Sequence, residues 1–199
     1  MFEIIAEHIN KLSDEQLRNL MGLLCEATFR KNNFDAKVVS WSGDQNAADG
    51  GIDVKCIKHT DENIDSFIPR KYVGFQVKKY DLTPSKIKQK MRDHECLKES
   101  IKDICENEGA YIIVCNNRSV SNSMYINRGK AMRNVIQEYK PNCNIVLDFY
   151  DSNKIATWVR EYPNMIRWVR DMIGETVIGW RRYDKWSDIQ KKSNTQFFR

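Results

Sequence analysis

The sequence predicts an α/β domain in which a central mixed β-sheet is flanked by helices. Three observations carry this. Helix-like and strand-like apolar periods alternate along the chain. Ala110 to Cys115 (AYIIVC) is apolar throughout, as a strand covered on both faces would be. Caps, prolines and glycines fall between the periodic stretches and mark their ends.

Ser13-Asp14-Glu15-Gln16 reads as a helix start, with Ser13 as N-cap and Gln16 closing a capping box. Leu17, Leu20, Met21, Leu24 and Thr28 then recur at helical spacing up to about Arg30. Phe34 to Trp41 (FDAKVVSW) is expected as a strand, Ser42 to Gly51 as a polar turn, and Ile52 to His59 as a second strand. Phe67 to Tyr80 contains a third, with Tyr72, Val73, Phe75 and Val77 as strand formers. Pro84 then opens a long helix carrying Ile87, Met91, His94, Leu97, Ile101 and Ile104 on one face, closed by Gly109. After AYIIVC come a helix to about Tyr139, a strand from Asn144 to Tyr150, and helices over 153–161 and 164–173. Pro163 divides the last pair and Gly174 stops the second. No internal repeat interrupts this order.

At 199 residues the chain suits one domain, expected over 1–178, and can bury on the order of 70% of the surface its unfolded form exposes. Charged residues make up 30% and hydrophobic residues 41%, which excludes wholesale disorder. The longest apolar run, AYIIVC, is far shorter than the roughly 20 residues of a membrane span, so no membrane partner is expected. The N-terminus carries Glu3 and Glu7 and does not read as a signal peptide. Six cysteines (25, 56, 96, 105, 115, 143) form no C-x-x-C pair, so reduced thiols in a cytoplasmic protein are expected. His8, His59 and His94 show no zinc-like spacing.

The formal charge of +5 is uneven, because 179–199 holds six basic and two acidic residues. This basic C-terminal segment is expected to be a linker to a downstream module, in a chain cut from a longer protein. Contact with phosphate is the other reading.

The chemically informative stretch is Asp49-Gly50-Gly51-Ile52-Asp53-Val54, followed 23 positions after Asp53 by Gln76-Val77-Lys78. Strand alternation puts Gln76 and Lys78 on one face, Phe75 and Val77 on the other, and Asp53 off the face used by Ile52 and Val54. If the two strands pair, Asp53, Gln76 and Lys78 converge. A carboxylate, an amide oxygen and the Val77 carbonyl are hard oxygen ligands of the kind Mg²⁺ prefers. An ammonium beside them can hold an attacking water and offset phosphate charge.

AADGGIDV with GFQVKKY resembles the core of the PD-(D/E)XK nuclease superfamily in its Mrr-like branch, where the pattern is Asp…Gln-x-Lys. The resemblance implies a restriction-endonuclease-like fold and a metal-dependent DNA endonuclease that uses Mg²⁺, with Mn²⁺ as a substitute. It implies Asp53, Gln76 and Val77 as metal ligands, Lys78 at the attacking water, and Glu26 in LCEATFR as a further site carboxylate on the first helix. Without it, Glu26 reads as a solvated glutamate, about 180° round the helix from Leu17. Double-stranded DNA is the implied substrate, and 5′-phosphate and 3′-hydroxyl ends the implied products. Over almost the whole chain, including WSGDQNAADGGIDV, GAYIIVCN, IATWVREYP and GWRRYDKWS, the sequence also resembles nuclease domains fused to STAND-type ATPases in prokaryotic antiviral defence. That implies a downstream ATPase and sensor module, and oligomerisation for activity.

Other residues carry plainer readings. Asp49 precedes two glycines, as a turn residue would, and Asp44 and Gln45 belong to the same turn. Lys79 points away from Lys78 and is read as solvent-exposed or as a phosphate contact. Arg118, Arg128, Lys130 and Arg133 cluster near the helix after AYIIVC, either as DNA-backbone contacts or as ordinary solvated residues. Trp158 and Trp168 recur among Val159, Ile166 and Val169 and are expected in the core or an interface. Asn127-Arg128-Gly129-Lys130-Ala131 has a Gly-Lys pair, but Ala131 stands where a P-loop needs Ser or Thr. The competing reading of the whole is a nuclease-fold DNA-binding or protein-interaction module that does not cut.

Overall fold

A computed structural model describes residues 3–41, 50–58, 66–116 and 120–175. Asp44, Gln45, Asp49, Arg118 and the segment 179–199 lie outside the described residues. In chain order the elements are α1 (Ala6–Asn10), α2 (Asp14–Lys31), β1 (Val39–Trp41), β2 (Val54–Ile57), β3 (Tyr72–Lys78), α3 (Pro84–Met91), β4 (Arg92–Asp93), β5 (Cys96–Leu97), α4 (Glu99–Glu106), β6 (Ala110–Cys115), α5 (Asn122–Tyr139), β7 (Val146–Tyr150), α6 (Ser152–Arg160) and α7 (Pro163–Met172).

The five-stranded sheet runs β1-β2-β3-β6-β7. β1, β2 and β3 pair antiparallel, whereas β3, β6 and β7 pair parallel. The α/β class with a mixed sheet is therefore the observed one. Side-chain alternation divides the core in two. Val73, Phe75 and Val77 of β3 join Ile112 and Val114 of β6 beneath Leu17, Leu20, Met21 and Leu24 of α2 and Trp158 of α6. The opposite face of the same strands, Tyr72, Tyr111 and Ile113, packs on Ile87, Ile101, Ile104, Met132 and Ile136 of α3, α4 and α5. β6 is covered from both sides, as its unbroken apolar run requires. Trp158 is fully buried, stacked on Phe67 with ring centroids 4.9 Å apart, and its indole N–H donates to Thr28 Oγ1. Trp168 packs at the edge of the same cluster.

The helix start at Ser13 forms as read: Ser13 Oγ accepts from the Gln16 N–H, and Gln16 Oε1 accepts from the Ser13 N–H. Other expectations are corrected. Within Phe34–Trp41 a turn of 3-10 helix, Ala36–Val38, capped by the Asp35 side chain, precedes a strand of only three residues. The long helix expected from Pro84 to Gly109 is two helices separated by a hairpin, in which Arg92 pairs with Leu97, Asp93 pairs with Cys96, and His94 turns at φ +53°. Leu97 still reaches the core from β5, so the helical spacing survives through a non-helical segment. His94, expected on the apolar face, is exposed. Cys105 and Cys143 are joined as a disulfide, contrary to six free thiols, while Cys25, Cys56, Cys96 and Cys115 are free. No helix among the described residues is long and apolar enough to cross a membrane.

Candidate functional site

The site forms where β2 begins and β3 ends. Val54 lies opposite Phe75, and the Asp53 N–H donates to the Phe75 carbonyl at 2.8 Å, so the ladder delivers Asp53 to the last residues of β3. Asp53 Oδ2 accepts the Val77 N–H at 2.7 Å, and Lys78 Nζ stands 3.7 Å from the same oxygen. A strand residue aims its N–H and C=O toward the same neighbour, so the Val77 carbonyl faces the side on which Asp53 lies. Gln76 projects to the α4 face, 1% exposed, and its Oε1 accepts the Tyr111 hydroxyl at 2.6 Å. Asp53 thus meets Val77 and Lys78 across the β2–β3 ladder, and Gln76 shares the face of Lys78 on β3.

One detail of that alternation differs. Ile52 packs with Tyr72 on the α4 face while Val54 joins the α2 face, so these two residues do not share a side. The chain is still turning at Gly50 (φ +59°) and Gly51 (φ +95°) before the ladder starts. Gly51 is confined as well as turned: a Cβ there would lie 2.9 Å from Lys98 Nζ and 3.3 Å from Gln76 Nε2.

Glu26 makes no hydrogen bond or ion pair with Asp53, Gln76 or Lys78, but it bonds Trp41, which pairs with Val54 and lines the cleft beside Asp53. Its Oε1 accepts the Trp41 indole N–H at 3.2 Å and its Oε2 pairs with Arg30 at 2.8 Å. It lies eight residues beyond Arg18, the α2 residue that does reach Asp53, and hence about 12 Å farther along the helix. Trp41 lies across Gly22, where a Cβ would come within 2.4 Å of the indole.

Four residues that the sequence did not point to also belong here. Arg18, 5% exposed, places Nη1 3.7 Å from Asp53 Oδ1 and Nη2 3.2 Å from Asp14 Oδ2. Asp14 Oδ1 accepts the Lys79 N–H, which docks the start of α2 on the end of β3. Tyr111 holds Gln76, and Lys98 approaches across Gly51. Spacing along α2 marks Arg18 as one turn from Asp14, but nothing local announces its neighbour 35 positions away.

Burial pushes the Asp53 carboxyl above its usual range, against the opposing pull of Lys78, the Val77 N–H and Arg18. Desolvation of the carboxylate thus outweighs the two cations beside it. A cleft of about 350 Å³ opens next to it, lined by Trp41, Asp53, Lys55, Tyr72 and Ser100. Among the described residues no three His, Cys, Asp or Glu side chains form a metal cage. The donor set nevertheless fits Mg²⁺, which is commonly held by one or two carboxylates, with waters and substrate phosphate filling the rest of its shell. Asp53, the Val77 carbonyl and the Gln76 amide oxygen are the residues that would hold it.

The expected DNA contacts separate. Arg128 is corrected to a core residue: it is 2% exposed, pairs with Asp81 at 2.5 Å, and lies 4.5 Å above the Phe149 ring. A phosphate cannot reach it without unpacking α5. Lys130 and Arg133 are exposed on α5, and Arg133 Nη1 donates to the Ile145 carbonyl. Lys79 is exposed, as read. Compared with family models, with curated proteins and with solved structures, the chain matches none.

Proposed function

We propose that this chain is a metal-dependent DNA endonuclease domain with a restriction-endonuclease-like fold. The observation that carries the reading is the Asp53 carboxylate anchored on the Val77 N–H, with Lys78 Nζ 3.7 Å away on the next strand. The sheet order supports it too. An antiparallel three-stranded unit carries the acid at the entry to its second strand and Gln-x-Lys on its third, and a helical crossover then leads to a parallel strand. Hydrolysis would join a water oxygen to phosphorus and break the P–O3′ bond, with the proton passing to the leaving oxygen. Lys78 is the group placed to hold the attacking water or offset the charge that builds on the phosphate. A bound Mg²⁺ or Mn²⁺ would supply Lewis-acid charge neutralisation and a more acidic water.

Supercoiled plasmid incubated with the purified chain and Mg²⁺ or Mn²⁺ is expected to be nicked or linearised. Asp53→Ala and Lys78→Ala are expected to abolish cleavage with an unchanged circular dichroism spectrum. Full activity in either variant removes the assignment. We assign the chain, on its resemblance alone, to the effector part of an antiviral STAND-type ATPase. If the isolated chain is silent, fusion to a dimerising or tetramerising partner is expected to switch it on.

A second reading has one observation in its favour. Around Asp53 and Asp14 the cations Arg18, Lys78 and Lys98 outnumber the carboxylates, which suits a module that holds phosphate without cutting it. Salt-dependent duplex binding, with no cleavage in any divalent metal or oligomeric form, is the outcome that selects it.

A further inference from the structure

Lys98 enters the site from a hairpin. The reversal through β4 and β5 brings it to the N-terminal end of α4, where its side chain makes no capping bond. Ser100 Oγ donates to the Gly50 carbonyl at 2.6 Å and so pins the first turn of α4 to the Gly50–Gly51 turn. Lys98 Nζ and Gln76 Nε2 then lie 2.9 Å and 3.3 Å from one point, the place a Cβ on Gly51 would occupy. The ammonium stands at the edge of the Asp53–Gln76–Lys78 cluster, half-buried.

Among the described residues the Lys98 side chain has no ion-pair or hydrogen-bond partner, whereas the side chains of Lys78, Lys55 and Arg18 each have a carboxylate within 4.0 Å. Partial burial of an uncompensated ammonium is unfavourable, and an anion beside it offsets that cost. Burial and the neighbouring Lys90 and Lys78 lower its pKa, against Asp93 and Asp53. Three cations of separate elements, α2, β3 and the β5–α4 connection, therefore surround one anchored carboxylate.

We propose that Lys98 is a phosphate-binding residue of this site, its ammonium taking a non-bridging oxygen of the phosphodiester that lies against Lys78. The identity of that ligand, a DNA phosphodiester, rests on the nuclease reading, but the claim concerns binding and not cleavage. Gly51 is part of the same device, because any side chain there would stand between the ammonium and Gln76.

The test is duplex binding with metal chelated, read by fluorescence anisotropy across a salt series. Lys98→Gln is expected to weaken binding about tenfold, the loss of one charge-assisted contact. It is also expected to make the slope of log K against log salt shallower by about 0.9, one phosphate contact fewer. Lys98→Arg is expected to keep the slope, and Lys140→Gln, at the exposed C-terminal end of α5, is expected to leave it unchanged. Should the glutamine variant fail to fold, Lys98→Met retains the aliphatic stem and gives the same readout. Wild-type affinity and slope in Lys98→Gln overturn the proposal, and so does weaker binding at an unchanged slope, which is a packing effect. A wild-type chain that binds duplex and loses slope on Lys98→Gln, yet cuts nothing in any metal or oligomeric form, upholds the proposal and ends the nuclease reading. A wild-type chain that binds no duplex overturns both.

Discussion

Tyr111 donates its hydroxyl proton to Gln76 Oε1 from the neighbouring parallel strand, and neither side chain reaches solvent to any useful extent. Tyr111 lies opposite Gly74 in the ladder, one place diagonal to Gln76 on the same face. The bond fixes which end of the amide faces Gly51, and it occupies one lone pair of the oxygen that would serve a metal. Burial and the Asp53 charge both push the phenol away from ionisation, so it stays a donor.

Tyr111→Phe is therefore expected to leave a buried amide oxygen without its donor, which costs about 1–3 kcal/mol of stability. Thermal unfolding should register that loss, and cleavage should fall about tenfold as Gln76 loses its fixed orientation. Gln76→Glu keeps an acceptor for Tyr111 and adds a second carboxylate, so it should lower the metal concentration needed for half-maximal cleavage. A Gln76→Glu variant that needs more metal would place the amide outside the ion's shell.

Glu26 gives the opposite expectation. Its carboxylate serves Trp41 and the exposed Arg30 and makes no bond to Asp53 or Lys78. Glu26→Gln preserves the acceptor for Trp41 and removes one i,i+4 pair of less than about 1 kcal/mol, so cleavage should stay within about fivefold of wild type. A loss as deep as that of Asp53→Ala, measured in the same plasmid assay, would return Glu26 to the catalytic set.

Arg128 and Lys130 stand two residues apart on α5 and should behave as different kinds of residue. Arg128→Met removes a buried guanidinium from Asp81 and Phe149, at a cost of about 2–4 kcal/mol. Asp81 keeps 30% exposure, so water meets part of its lost pairing and holds the cost below the upper end for buried pairs. Lys130→Gln should change stability by less than about 0.5 kcal/mol, the usual scale at an exposed position. Chemical denaturation of the two variants separates the roles, and equal stabilities would restore Arg128 to the surface.

What the sequence made legible follows from how local each signal is. Ser13 with Gln16, the buried run of β6, and the Pro163 and Gly174 boundaries are decided within a few residues, and they form as read. Gln76 and Lys78 were legible because strand alternation fixes their face without knowledge of the fold, and Asp53 because it directly precedes the strand that pairs with theirs. Arg18, Tyr111 and Lys98 were not, because sheet order and helix docking bring them in from elsewhere. The hairpin at His94 escaped for a related reason: Ile87, Met91, Leu97, Ile101 and Ile104 all reach the core, so their spacing mimics one helix although the backbone reverses between them. Neither Gly nor Pro marks that reversal. With the helix read as continuous, Lys98 had no reason to be placed near Asp53.

Glu175 links the end of α7 to the N-terminal segment and gives the fold an acid-dependent clasp. Its carboxylate meets Lys11 at 2.5 Å, His8 at 3.4 Å and Arg170 at 3.6 Å. The hydrogen bond from Lys11 leads in holding its pKa below the ordinary 4.5, with the charges of Lys11, His8 and Arg170 adding to it. A depressed folded-state pKa means that the unfolded chain takes up the proton first as pH falls. The stabilisation is therefore fully present above pH 4.5 and is lost as the pH drops through the lower folded value. Thermal melts of wild type and Glu175→Gln should differ at neutral pH and converge in acid, with the wild-type curve falling more steeply below pH 4.5. The difference will be small, since the pair is exposed and salt screens it, and added salt should shrink it further. Parallel curves over the whole acid range would show that the clasp carries no net stability.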